Sequence, residues 1–528
     1  MQIYKEIKRC FLQNKPQNIL YFKYNKPMFL KRFKIFFVFT LIVSFLMGCA
    51  KNPVSGMPDF VTITEQQEIS MGASYHQKIL KESRIMENRE LNIYFKNLGE
   101  IIASNSHRPG LNWQFTLIDS PLFNAFATPG GYVYFYRGIL PYFNSEEELV
   151  GVLGHEIGHI TARHAVRGMS AAQLTNILIG LVASRVPGSQ ITDNAFNLLN
   201  MAINSGYSRK YELEADKLGR EYLSKVNYNP NAMKSFLKVM RDRDDLEKKI
   251  AEFEGREPNV GYHGIFSSHP DTEKRIREMN TKEKSNSSLK KSKNKEKFLK
   301  MIDGIMYGSS PEDGYVKGNT FFHSGLAVKF DFSDYWVLEN NPDNIILKKD
   351  GVKLTIRLEE LLQDDLENGL TPKKFLENGI EKTSFLSKNE LVEGTEFNHN
   401  GFTGYTMLYK SSTTFSTSYK RFTAIFDIPK DKQKVKPKVW IFVSKADKYE
   451  NDTEAQIILK TFAKMTDTEV KNSRGLRIKV IRFRNGMSYK ELAKQSPLGN
   501  FAEDKLRLLN GHYPSDNPKV GDLIKIVQ

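Results

Sequence analysis

The chain has 528 residues, of which 40% are hydrophobic and 26% charged, with a formal net charge of +16 and two cysteines. That apolar content is enough to bury real cores, and the length allows about two to four domains, so wholesale disorder is excluded. Two cysteines cannot build a disulfide framework, a thiolate zinc ribbon or an iron–sulfur site.

The basic excess invites a nucleic-acid partner only if it sits on the folded chain. Lys31, Arg32 and Lys34 precede an uncharged apolar run over 35–47. The run is too short to span a bilayer and fits the apolar region of a secretory signal. Leu46-Met47-Gly48-Cys49 follows and resembles a bacterial lipobox. The resemblance implies cleavage before Cys49 and lipidation of that residue. A buried cysteine in a short core helix explains the order of charged, apolar and small residues less well. Met28 is a more typical signal start than Met1. Residues 1–48 carry nine basic residues and one acid, so their removal leaves +8. The mature chain then has no free thiol, which suits an oxidising periplasm. Ala50, where inner-membrane lipoproteins often carry Asp, favours the outer membrane.

The expected fold class is α+β. Residues 49–280 read as a mainly helical domain with one short strand-like piece. Residues 281–297 are polar and basic, a solvated linker that needs no nucleic acid to explain it. Residues 298–470 mix strand candidates at 422–428 and 439–444 with a helix expected over 453–465, an α+β domain. Residues 471–528 read as strand, helix, helix, strand, similar to a LysM module. That likeness implies glycan binding, with peptidoglycan as the partner, or a degenerate copy kept for packing.

The chemistry concentrates between residues 120 and 270. In His155-Glu156-Ile157-Gly158-His159, the spacing of Leu149, Leu153, Ile157 and Ile160 predicts a helix capped by Ser145 and Glu148. On it His155 and His159 share a face and can bind one Zn²⁺, with Glu156 angled to act as general base on a water. His164 lies half a turn out of phase with His155 and reads as structural. Downstream, Ser208-Arg209-Lys210-Tyr211-Glu212-Leu213-Glu214-Ala215-Asp216 also reads as helix. Glu212 and Asp216 share a face there; one can ligate zinc and the other can hold the second N–H of a ligand histidine. Alone, such a pair is an ordinary solvated helix face.

H-E-x-x-H followed by S-R-x-x-E-x-x-A-D resembles the gluzincin metallopeptidases related to HtpX, the mitochondrial inner-membrane stress peptidases and the CAAX prenyl endopeptidases. The likeness is greatest to the periplasmic lipoprotein branch that includes BepA. It covers about residues 52–280. It implies a zincin-like fold with one zinc on His155, His159 and Glu212, Glu156 as catalytic base and Asp216 in support. It also implies that the strand led in by Gly130, Gly131, Tyr132 and Val133 borders the cleft as an edge able to pair with extended substrate. Ser267-Ser268-His269-Pro270 precedes a helix; His269 is either a fourth ligand that keeps the enzyme latent or a helix-entry residue. His76, His107, His263, His323, His399 and His512 lack ligand-like context. The expected activity is zinc endopeptidase, probing unfolded or misassembled envelope proteins in quality control. The rival is a non-catalytic envelope assembly or peptidoglycan-binding factor with a latent zinc site. The helical-repeat domain of BepA has no counterpart here, so its partners do not carry over.

Overall fold

The computed structural model describes residues 49–183, 207–258, 269, 272–281, 294–341, 343–381, 389–412, 416–429 and 436–528. The signal segment with Met28, most of the basic linker, and Ser267, Ser268 and Pro270 lie outside the described residues. The chain divides into a small N-terminal unit and one large unit. In the small unit β1 (Cys49–Lys51) pairs antiparallel with β2 (Pro58–Phe60), placing Cys49 opposite Phe60.

The large unit combines helices and sheets and is α+β. Helix α1 (Glu65–Glu82) starts at a capping box, with the Thr64 side chain on the Gln67 N–H and the Gln67 side chain on the Thr64 N–H. Helix α2 (Arg89–Ala103) is capped by Asn88 and buries Leu91, Phe95, Leu98 and Ile102, a period-3.6 stripe. Three strands follow, β3 (Gln114–Ile118), β4 (Ala125–Thr128) and β5 (Tyr132–Tyr136). The sheet order is β3-β5-β4, with β5 parallel to β3 and antiparallel to β4. This corrects the expected edge. Tyr132 and Val133 sit on the central strand, hydrogen-bonded on both sides, and Gly130 and Gly131 form the turn into it. Both glycines have positive φ, +84° and +107°, which L side chains rarely adopt. The edge strands are β3 and β4.

Helix α3 (Glu146–Thr161) carries the H-E-x-x-H residues, and all its residues are buried. Its cap differs slightly from expectation: Ser145 accepts from the Glu148 N–H, but the Glu148 carboxylate turns to the Asn144 N–H. Helix α4 (His164–Ala183) follows, and then α5 (Arg209–Lys225), whose N-cap Ser208 accepts from the Tyr211 N–H. Helices α3 and α5 approach at backbone distance. A Cβ on Gly219 would lie 3.0 Å from the His155 nitrogen, and one on Gly158 would lie 2.9 Å from the Ala215 carbonyl oxygen. Small residues here bring Glu212 within reach of the histidines. Helix α6 (Ala232–Phe253) covers α3, and α7 (Thr272–Thr281) packs on α5 and α6.

The first core extends beyond these elements. Phe298 and Leu299 of α8 (Lys295–Met301), then Ile302 and Ile305, bury in it. Strand β6 (Met306–Tyr307) follows. A small sheet of β7 (Tyr315–Lys317), β8 (Thr320–His323) and β9 (Val328–Asp331) precedes a larger one. The larger sheet contains β10 (Val337–Asn340), β11 (Ile345–Lys349), β12 (Val352–Glu360), β13 (Glu390–His399), β14 (Phe402–Ser412), β15 (Thr417–Asp427) and β16 (Lys438–Ala446). These seven are antiparallel in the order β10-β11-β12-β16-β15-β14-β13. One core holds Leu376 and Ile380 of α9 (Pro372–Glu381) with Met407 and Phe426; the other holds Ala455 and Ile458 of α10 (Tyr449–Thr461) with Phe442 and Trp440. Helix α10 stops at Thr461, short of the expected 465. Phe462 turns to extended backbone and packs against Trp440 and Phe442, and β17 (Ala463–Lys464) then joins β9.

The tail has the expected element order: β18 (Leu476–Arg482), α11 (Tyr489–Lys494), α12 (Ala502–Leu509) and β19 (Leu523–Val527). Strand β18 pairs with both β19 and β6, and Ile478, Leu509 and Val527 join the first core. Lys525 is fully buried, and its ammonium donates to the carbonyls of Pro141 and Phe143 at 2.7 Å each, just ahead of α3. Burial pushes its pKa down to about 7. Asn510 grips the same strand through the Lys525 N–H and C=O. Lys525→Met keeps the aliphatic stem but leaves two buried acceptors without that donor. It is expected to destabilise the fold by about 1–3 kcal/mol, read as a lower thermal midpoint by circular dichroism.

Candidate metal centre

Four side chains offer donor atoms that all lie within 4.8 Å of one another: His155, His159, Glu212 and His269. All four are buried. Helix α3 supplies the two histidines one turn apart, α5 supplies Glu212, and His269 comes from the segment before α7.

The tautomers follow from the outer partners. His155 Nδ1 is 2.8 Å from Asp216 Oδ1, so it carries the proton and leaves a lone pair on Nε2. His164 Nε2 faces Glu214 at 3.3 Å and donates to it, so His164 Nδ1 accepts from His159 Nδ1 at 2.9 Å. His159 Nε2 is then also a lone pair. The two Nε2 atoms nevertheless face each other at 3.0 Å. His269 places Nδ1 3.1 Å from His155 Nε2 and 3.1 Å from Glu212 Oε1, while its Nε2 lies 3.3 Å from Glu156 Oε1. Glu212 closes the set at 3.4 Å from each Nε2.

In the neutral imidazoles these atoms present lone pairs to one another, and a proton or a metal cation among them relieves the repulsion. Zinc with bonds of about 2.0–2.1 Å in a tetrahedron sets its ligands roughly 3.3–3.4 Å apart. The observed spacing of 3.0–3.4 Å fits that geometry. Two imidazoles, a carboxylate and a further imidazole form a donor set suited to zinc.

The electrostatics agree. Burial alone would raise the Glu212 pKa, but His269 and Arg275 hold it well below the usual range, so it is ionised. Burial lowers His159 well below its ordinary value, keeping it neutral. Burial and Arg275 act to lower His155, yet Asp216 and Glu212 raise it to about 9, a measure of how strongly the cage attracts positive charge. Burial raises the Glu156 pKa. Neither Glu156 oxygen accepts a hydrogen bond.

Two features escaped the sequence. Arg275 lies on helix α7 among charges of both signs, and it is 1% exposed. It grips Asp216 with two hydrogen bonds of 2.7 Å and reaches Glu212 at 3.0 Å. His164, read as structural, orients a ligand histidine; its half-turn offset from His155 was the available signal. His76 pairs with Tyr134, His107 with Tyr222 and His512 with Tyr489, all apart from this cluster. His263 lies outside the described residues.

A buried histidine–histidine–glutamate set on two packed helices, with the Glu156 carboxylate beside it, is the donor arrangement of a zinc metallopeptidase. Residues 90–283 match the model of Peptidase family M48. The chain is 27% identical over 225 residues to the beta-barrel assembly-enhancing protease of Escherichia coli K12, covering 41% of this chain and 43% of that one. It is 29% identical over 211 residues to the protein of the same name from Yersinia pestis, covering 38% and 43%. It is 28% identical over 230 residues to the mitochondrial metalloendopeptidase OMA1 of Schizosaccharomyces pombe, covering 43% and 64%. The chain thus spans less than two thirds of the length of these relatives. Among the described residues no helix is long and apolar enough to cross a membrane.

Removing the charge behind His155 should loosen the cage. Asp216→Asn is expected to weaken zinc binding about 10–100-fold, measured by competition with a chromogenic chelator.

Proposed function

We propose that the chain is a lipid-anchored periplasmic zinc metalloendopeptidase that cleaves unfolded or misassembled envelope proteins. His155, His159 and Glu212 hold the ion and Glu156 is the catalytic base. The observation that carries this reading is Glu156 itself, fully buried beside the donor cluster with both oxygens lacking a hydrogen bond. A carboxylate in that state is costly, and metal holding alone does not require it.

When bound, zinc polarises a carbonyl and acidifies water. Glu156 takes a proton from the water whose oxygen adds to the scissile carbon, then passes it to the departing amine nitrogen. Asp216 and His164 keep the ligand imidazoles in the tautomers that present Nε2. Edge strand β4 is a side of its sheet on which an extended substrate can add as a further strand. His269 fills the corner that a water or substrate carbonyl needs, and so keeps the site latent.

The Gly48-Cys49 lipobox supports the anchor, and Ala50 supports the outer membrane. The bacterial relatives, named as beta-barrel assembly-enhancing proteases, support an envelope role. The βααβ tail acts as a brace within the core rather than a free peptidoglycan-binding arm.

Cleavage of casein and of unfolded outer-membrane proteins tests the base. Glu156→Gln at equal zinc content is expected to lose about 10²–10⁴-fold in kcat; equal rates in both proteins overturn the assignment. His269→Ala is expected to cleave faster than wild type, and a variant no faster removes the latency.

A further inference from the structure

Hydrolysis of a peptide bond places negative charge on the carbonyl oxygen as water adds. A donor held where that charge appears is worth a large share of the barrier. The donors around the metal cage can be taken in turn. Arg275 holds Asp216 through Nε and Nη2, and its Nη1 is ion-paired with Glu212 at 3.0 Å without a hydrogen bond. His269 points one nitrogen at the ligand set and the other at Glu156. The second nitrogens of His155 and His159 are engaged by Asp216 and His164.

Tyr207 is different. It immediately precedes Ser208, the N-cap of the helix that supplies Glu212. Its ring stacks on the His159 imidazole, with centroids 4.0 Å apart and planes at 21°. It is tilted towards His269, with centroids 6.1 Å apart. The same ring walls an open recess, lined also by His159, Ala127, Thr128 and Pro129 at the end of edge strand β4. The ring therefore contacts a metal ligand and also lines a recess, walled in addition by Glu68 and Arg163, that reaches the end of β4. Among the described residues the Tyr207 hydroxyl has no hydrogen-bond partner.

We propose that Tyr207 is a catalytic residue, its hydroxyl donating a hydrogen bond to the carbonyl oxygen of the scissile peptide as that oxygen becomes an anion. The water oxygen forms the new bond to carbon, the carbonyl π pair moves onto oxygen, and the water proton goes to Glu156. Tyr207 keeps its own proton throughout. Stacking on His159 holds the ring, so the hydroxyl needs no reorganisation as charge develops. The assignment rests on the peptidase reading and adds the group that favours the tetrahedral state.

Tyr207→Phe keeps the ring and its stack and removes only the donor. Two ligands separate the roles: a phosphinic peptide, which carries a tetrahedral anionic centre, and a peptide hydroxamate, which chelates the metal without one. Binding is measured by calorimetry in wild type and in the His269→Ala background, so that latency does not mask the result. The expected result is at least a tenfold weaker phosphinate with an unchanged hydroxamate, zinc content and thermal midpoint. With casein-derived peptides, kcat should fall about 10²–10³-fold with KM little changed. An unchanged phosphinate affinity, an equal loss for both ligands, or no phosphinate binding in either background overturns the proposal. Failure of the peptidase reading shows separately, as His269→Ala protein that binds both ligands yet cleaves nothing. Tyr207→Leu, which lacks the ring, reports on the stack alone: a fall in its thermal midpoint that Tyr207→Phe does not share confirms that the hydroxyl effect is chemical.

Discussion

Lone pairs that face one another in a dry interior are the constraint on which the rest depends. Three imidazole nitrogens and a carboxylate converge among buried groups, and none can turn away, because the far side of each ligand histidine is held. Glu156, Glu212 and Asp216 bring three acids into this space, and Arg275 returns one positive charge. With all three acids ionised and the imidazoles neutral, two negative charges remain, which a divalent cation would balance. Such an arrangement is unfavourable in isolation, so the fold must supply the force that keeps it together.

That force comes from the layers around α3. The helix is buried on every side, with the three-stranded sheet, α2, α5 and α6 against it. Glycines at 154, 158 and 219 let α3 and α5 meet backbone to backbone, and a side chain there would move Glu212 away from the histidines. A second buried ionic group ties α1 to the far end of α3: Glu68 accepts from Arg108 at 2.6 Å and from Arg163 at 2.7 Å. Glu146, at the other end, accepts from Tyr228 and Asn294 at 2.6 Å each. Pairs of this kind contribute little net stability, but they fix how each element meets the helix.

The sequence made the ligands readable because they obey local rules. Two histidines four apart, and a glutamate and an aspartate four apart, declare a shared face whatever the fold. The element order of the tail was readable for the same reason. What was hidden depends on pairing between distant segments. Arg275 has the local pattern of a surface charge, and only docking of α7 against α5 buries it. Nothing local distinguishes β5 as a central strand from an edge, since the turn glycines look alike in either case. Phe298 to Ile305 fit the second domain by composition, yet they fill the first core because β6 pairs with β18.

The same pairing has a consequence for how the molecule is made. Val527 and Lys525 lie far along the chain from His155, yet one completes the core over the metal helix and the other ties down the turn that begins it. A chain emerging from its amino end cannot finish that core until β19 arrives. The catalytic helix therefore waits on the carboxy-terminal residues. Chains that stop before β19 would hold the cage residues without the packing that sets them.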